Sequence, residues 1–211
     1  MSIADRASEA NRHRKWDLFM GQLRPTPDMR VLDVGYSNKE YSRVDNYIEK
    51  HYPYPRRLTA LGTEVPQMFA QRYPEVTVVT YDGTRFPFAD KQFDVCWSNA
   101  VLEHVGDSER QVAFLKEVKR VSRRAFLTTP NRHFPVEVHT RTPLLHFLPK
   151  KLFDGYLRLI GKGWAAGEYM HLLSESELQT VLSLAGFEDY HLVENRLLGS
   201  PLDFVVLAEC G

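Results

Sequence analysis

The sequence predicts an α/β protein. Its core is a doubly wound, mostly parallel seven-stranded sheet, with an antiparallel strand at the C-terminal end and an insertion after strand five. Three observations carry this. Short apolar or β-branched runs alternate with helical stretches five times through the first 130 residues, which implies right-handed crossovers and a parallel sheet covered on both faces. Two consecutive strand-like runs, 189–195 and 203–209, then flank Gly199-Ser-Pro201, so one of them must run antiparallel. The 211 residues are 43% hydrophobic and 26% charged, ordinary values for one globular domain that needs no disulfide or metal staple.

The elements follow in order. Trp16, Phe19, Met20 and Leu23 recur at helical spacing, and Pro25 and Pro27 end that helix, so residues 1–27 read as an N-terminal helical extension. Residues 29–35 (MRVLDVG) read as a buried strand opening into a loop. Residues 43–51 look helical. Residues 58–61 (LTAL) are a second strand, closed by Gly62, and 65–73 a helix. Residues 76–80 (VTVVT) and 93–97 (FDVCW) are strands three and four. Residues 107–122 form an amphipathic helix with Val112, Phe114, Leu115, Val118 and Val121 on one side. Residues 125–129 (AFLTT) are the fifth strand, halted by Pro130. Residues 131–170 break the rhythm with unevenly spaced prolines and glycines among aromatics, as expected of an insertion or lid on the single domain 1–211. Ser174-Glu-Ser-Glu177 is a capping box opening a helix to about Leu184, which Gly186 stops.

Several classes are disfavoured at this point. Lys+Arg and Asp+Glu are 27 each, against the basic excess of bulk nucleic-acid binders. Cys96 and Cys210 lie far apart and form no zinc pattern, which fits a reducing, cytoplasmic setting. The first residues carry charges throughout, so a signal peptide is not expected. No run of 18 apolar residues occurs, so no spanning helix is expected. His133, His139 and His171 match no ligand spacing, and no metal is expected.

In an open parallel sheet, ligands bind beyond the carboxyl ends of the strands. Strand one is followed by Asp33, Gly35, Tyr36, Ser37 and Asn38; strand two by Gly62, Thr63 and Glu64; strand three by Asp82 and Gly83; strand four by Asn99, Ala100 and Leu102-Glu103-His104. One Asp-Gly pair is an ordinary turn. Polar ends on four successive strands point to a site. A carboxylate after strand two can accept both ribose hydroxyls, and one after strand three an adenine amino group. GxGxxG and a positive clamp for a pyrophosphate are both absent, so the ligand expected is a nucleoside without phosphates.

The blocks VLDVG (31–35), YDGTRFPFADKQFDVCWSNAVLEHV (81–105), FLKEVKRVSRRAFLTTPNR (114–132) and LSESELQTVLSLAGF (173–187) resemble the class I S-adenosylmethionine-dependent methyltransferases, within them the small type 11 branch. The resemblance implies a Rossmann-like fold and S-adenosylmethionine as cofactor. It assigns Asp33 and Gly35 to the first binding motif, with Tyr36 beside them. It assigns Glu64, or its neighbour Thr63, to the ribose, Asp82 with Gly83 to the adenine, and Asn99 to the wall beneath the methionine portion. The family's Gly-x-Gly-x-Gly is reduced here to Gly35, so the loop must take another path. The implied activity is methyl transfer to a small-molecule acceptor by direct displacement at the sulfonium, in which alignment dominates. A noncatalytic ligand-binding or scaffold protein with a degenerate glycine loop is the alternative.

His104 is the candidate general base, because it follows strand four and its pKa suits the task. Glu137, His139 and His171 are candidate acceptor-side residues in or beside the insertion. Residues 141–164 are apolar and basic. Three readings are open for them: a hairpin packed on the core, a lid over the acceptor, or a helix in peripheral contact with an anionic membrane.

Overall fold

The computed structural model describes residues 3–137, 142–143, 148–163, 170–197 and 199–211. Its strands are β1 (Val31–Val34), β2 (Leu58–Gly62), β3 (Thr77–Thr80), β4 (Phe93–Asn99), β5 (Ser122–Pro130), β6 (Val136–Glu137), β7 (Thr142–Pro143), β8 (Tyr190–Leu197) and β9 (Ser200–Glu209). The α-helices are α1 (Ile3–Leu23), α2 (Tyr47–His51), α3 (Gln67–Arg72), α4 (Ser108–Val121), α5 (Lys150–Leu159) and α6 (Glu175–Leu184). Seven strands form one sheet in the order β3-β2-β1-β4-β5-β9-β8. β1 to β5 pair in parallel, and β9 runs antiparallel to both its neighbours. The antiparallel member is therefore the last strand, as a right-handed α/β winding closed by a hairpin requires.

The alternation of buried side chains along the strands splits the core in two. On one face Leu115, Val118, Leu178 and Leu182 of α4 and α6 cover Leu32, Cys96, Leu127 and Phe204. On the other, Phe19, Ile48 and Phe69 of α1, α2 and α3 cover Val31, Ala60, Val95, Trp97 and Phe126. Phe19 meets the rings of Trp97 and Phe126 edge-on, at 5.0 and 5.5 Å, and those two rings stack at 4.8 Å. This fixes α1 against the centre of the sheet.

Several boundaries differ from the sequence reading. α2 begins only at Tyr47 because the preceding residues form a turn, in which Asp45 accepts from the Tyr41 and Ser42 amides and Asn46 takes φ +47. β4 runs two residues beyond Trp97, so Asn99 ends the strand rather than following it. β5 starts at Ser122, directly after α4. α6 has the expected capping box, with Ser174 and Glu177 reciprocally bonded.

The excursion after β5 leaves and returns at one point. Asn131 and Leu173 form a parallel bridge, and the Arg132 amide donates to Leu173 O at 3.0 Å. Asn131 is also tied to β9, its amide to Leu202 O and its side chain to Pro201 O, both at 2.9 Å. Among its described residues, the excursion contains the two-stranded β6–β7 pair and α5.

Candidate active site

The loop that replaces the glycine-rich turn is pegged by side chains. Gly35 donates its amide to Leu61 O at 2.8 Å and takes φ +108. Tyr36 turns inward and is 5% exposed; its ring lies 4.5 Å from Phe69 and against Gly62. Its hydroxyl donates to Glu64 O at 2.5 Å. The Asn38 amide donates to Glu64 Oε2 at 2.8 Å, while Asn38 Oδ1 accepts the amides of Met68 and Phe69 at the start of α3. Asn46 bonds both the amide and the carbonyl of Ser37, each at 2.8 Å. Glu40 gathers Tyr73, Arg72, Lys50 and Asn46; burial works against its charge, but these donors hold its carboxyl below the usual range. Tyr36, expected at the ligand, thus sits beneath the loop and positions Glu64. Ser37 and Asn38 spend the polar groups named here on the loop itself.

Asp33 is the third residue of β1, in register with Ala60 of β2 and Trp97 of β4. It is 5% exposed. Its carboxyl meets that of Glu49 on α2, whose two oxygens are buried with no donor from elsewhere in the fold. Burial, then the neighbouring Glu49, push Asp33 well above the carboxylate range; burial also raises Glu49. Half-buried Arg12 of α1 stands among Asp203, Asp45, Asp33 and Glu103. Burial lowers its pKa and those four carboxylates oppose the shift.

A carboxyl pair whose pKa is raised on folding binds protons more tightly in the native state. Its contribution to stability is complete below the unfolded value, near 4, and is lost as pH rises through the folded values. Glu49→Gln places an amide beside Asp33 and removes Glu49's share of that loss, leaving the share that burial of Asp33 causes. It should stabilise the protein at pH 7 by about 1–3 kcal/mol and lessen the fall in stability as pH rises above about 4. Urea midpoints measured from about pH 4 to 7 test this, and a pH profile unchanged from the wild type would refute the coupling of Asp33 to Glu49.

Glu64 and Asp82 are both exposed. Gly62 and Thr80 are paired across β2 and β3, and each carboxylate stands two residues beyond its partner of that pair. Asp82 Oδ1 accepts from the Thr84 hydroxyl at 2.6 Å and the Thr84 amide at 2.9 Å, which hold its pKa below the ordinary value. Gly83, at φ +85, turns the chain beside it. A cleft of about 520 Å³ opens here between the β3 loop and α4, lined by Tyr81, Asp82, Gly83, Phe86, Val105, Arg110 and Phe114 among others.

At the end of β4, Asn99 Oδ1 accepts from Thr128 Oγ1 at 3.0 Å, and its Nδ2 is buried without a hydrogen-bond partner. The next residues form a 3-10 turn, Leu102–His104. Glu103 is fully buried, accepts from Thr129 Oγ1 at 3.1 Å, and lies 3.9 Å from His104 Nε2. The His171 amide donates to Glu103 O at 2.8 Å. Gln111 of α4 donates to Leu102 O and His171 O, at 3.3 and 3.0 Å. The fold therefore brings His104 and His171 to one turn. Glu137 lies in β6, paired with Thr142, and His139 lies outside the described residues. Among the described residues no group of His, Cys, Asp or Glu could hold a metal ion.

Sequence reasoning missed Arg12, Lys15, Glu49 and Gln111. For Arg12 the signal was present: it lies four residues before Trp16 and seven before Phe19, on the buried stripe of α1.

The family model described as a methyltransferase domain matches residues 42–125. The match begins beyond the pegged loop and spans β2 through the start of β5. No curated protein matches. Among solved structures, a SAM-dependent methyltransferase from Aquifex aeolicus is 17% identical; the alignment covers 87% of this chain and 82% of that one, with a TM-score of 0.57. A SAM-dependent methyltransferase from Thermotoga maritima, described as a possible histamine N-methyltransferase, is 16% identical over 98% and 93%, at 0.58. The Burkholderia thailandensis 1,6-didemethyltoxoflavin-N1-methyltransferase, solved with 1,6-didemethyltoxoflavin and S-adenosylhomocysteine, is 17% identical over 96% and 79%, at 0.58. The sheet order, the polar strand ends along one edge and the likeness to these structures together give this chain the Rossmann-like fold of the class I S-adenosylmethionine-dependent methyltransferases, and the family model that matches residues 42–125 is that of a methyltransferase domain.

Proposed function

We propose that this protein is an S-adenosylmethionine-dependent methyltransferase that alkylates a small-molecule acceptor by direct displacement. The observation that carries the reading is the matched placement of Glu64 and Asp82, exposed at equivalent positions past adjacent parallel strands, with Asp82 lining the 520 Å³ cleft. The residues present fit the cofactor. Glu64 Oε2 is fixed by the Asn38 amide, and its exposed carboxylate would accept a ribose hydroxyl. The Thr84 hydroxyl and amide hold the Asp82 carboxyl below its ordinary range, and as a carboxylate it would accept from an adenine amino group. Asn99 Nδ2 is a buried donor in want of an acceptor, and the methionine carboxylate would supply one.

When bound, the cofactor supplies a methyl group on a positively charged sulfur with a neutral thioether as leaving group. The chain's task is then alignment and, for a hydroxyl, amine or carbon acceptor, removal of a proton. His104 is our choice for that proton, and Glu103 Oε1, 3.9 Å from Nε2, would stabilise the imidazolium. His171, joined to the same turn, and Glu137 and His139 of the excursion are proposed acceptor-side residues, with 131–170 as the cover. No described helix is long and apolar enough to cross a membrane, and a cytoplasmic location is proposed. The noncatalytic alternative draws support from the loop after β1, where Asn38 and Ser37 are already engaged.

Calorimetric titration with S-adenosylmethionine and S-adenosylhomocysteine tests the reading. Both should bind, Asp82→Ala should weaken them by roughly tenfold or more, and His104→Gln should bind them normally. Absence of binding by the folded wild-type chain would leave the noncatalytic reading. Equal loss in His104→Gln would place His104 with the cofactor rather than the acceptor.

A further inference from the structure

Helix α5 presents apolar side chains to solvent in a pattern that a helix packed only on its own core does not need. Its inward side is Leu157, fully buried, with Phe153 and Tyr156 half-buried beside it. Leu152 and Leu159, seven residues apart and so on one line of the helix, are 61% and 85% exposed. Leu148 and Ile160, just outside the helix ends, are 42% and 39% exposed. These four are half of the eight large hydrophobic side chains exposed among the described residues, and they fall within thirteen positions. Lys151 and Arg158, also seven apart and both exposed, run as a parallel line one step around the helix. Across 148–163 the sequence holds four bases, Lys150, Lys151, Arg158 and Lys162, against the single acid Asp154, in a chain whose net charge is zero.

We propose that the outer face of α5 docks on an anionic lipid bilayer surface. The leucine line would enter the boundary between headgroups and acyl chains, while Lys151 and Arg158 meet the lipid phosphates. Charge complementarity decides the occupant. An apolar strip alone would suit a protein partner or a second copy equally, whereas a basic line beside it, with Asp154 the single acid across 148–163, suits an anionic sheet. The excursion that holds α5 starts and ends at the Asn131–Leu173 bridge, beyond the carboxyl end of β5. The inference stands on the helix itself and does not depend on methyl transfer.

Cosedimentation of the full chain with vesicles of phosphatidylcholine, with and without one phosphatidylglycerol in three lipids, tests it. The wild type should sediment with the anionic vesicles, be released by raised salt, and stay in solution with pure phosphatidylcholine. Lys151→Glu/Arg158→Glu should lower partitioning by roughly thirtyfold or more. Leu152→Ser/Leu159→Ser should lower it as well. All four substituted positions are exposed, so far-UV circular dichroism and the thermal midpoint should not change. Failure of the wild type to bind anionic vesicles, or equal binding of the charge-reversed variant, overturns the proposal. So does a concentration-dependent dimer, abolished by the serine variant, in a chain that ignores lipid; the face would then belong to a second copy.

Discussion

Gly35→Ala should destabilise the fold by about 2–6 kcal/mol, the sum of two separable costs. The backbone at φ +108 is hostile to an L side chain, typically by about 1–3 kcal/mol. A Cβ there would also come within 2.3 Å of Val101 Cγ2, and overpacking of that kind costs about 1–3 kcal/mol. Against a total of about 5–15 kcal/mol for a protein of this kind, that is a large fraction. Val101→Ala in the same chain removes the Cγ2 in conflict and leaves Cβ at 3.5 Å, an ordinary contact. The double variant should therefore recover the steric part and retain the backbone part. Chemical denaturation of the two single variants and the double variant gives that coupling directly. If Gly35→Ala unfolds at the wild-type denaturant midpoint, the loop does not follow the path described. Gly35→Val should fail at folding before it can report on any ligand, because its larger side chain meets Val101.

The sheet was legible because parallel strands buried on both faces are written as apolar runs, and the capping box at Ser174 is a local signal that needs no tertiary partner. What escaped the sequence is tertiary by nature. The 43–51 stretch has helical composition, yet its first residues are held in a turn by Asp45 and Asn46, and nothing local announces which will win. Asn99 was placed after its strand because β-propensity falls at Ser98-Asn99, while pairing with Leu127 and Thr128 of β5 carries the ladder through. At the candidate site, residue type and place in the chain were enough to expect exposed carboxylates past β2 and β3, as at Glu64 and Asp82. Residue type was uninformative where the side chain is buried. Asp33 reads as one more strand-end acid, and only the fold sets it against Glu49. Tyr36 reads as a loop residue, and only the room above Gly62 draws it inward.

The buried ion pair between Lys15 and Asp203 carries the other large effect. Lys15 of α1 is 3% exposed, Asp203 of β9 is 4% exposed, and they meet at 3.0 Å. Asn11 donates to the same Asp203 oxygen at 2.7 Å, and Asn195 of β8 bonds Asn11 in turn. This network is what ties α1 to the C-terminal hairpin, on the same helix that carries Arg12 toward Asp33 and Glu103. Asp203→Leu strands the Lys15 ammonium and the Asn11 amide, and should cost about 3–5 kcal/mol, the range for a buried pair with one partner removed. Lys15→Met should cost less, because Asp203 keeps the Asn11 donor. Lys15→Met/Asp203→Leu should recover part of the loss, since it removes both members of the pair while Arg12 keeps Asp45, Asp33 and Glu103. The pH dependence has a definite sign. Burial already lowers the Lys15 pKa, with Asp203 opposing that shift. Without Asp203 the folded value falls further below the unfolded one, so stability in Asp203→Leu should rise with pH toward the alkaline range, as the amine sheds its proton. Equal destabilisation in Asp203→Leu and the double variant, at every pH, would mean that the carboxylate serves packing rather than the charge of Lys15.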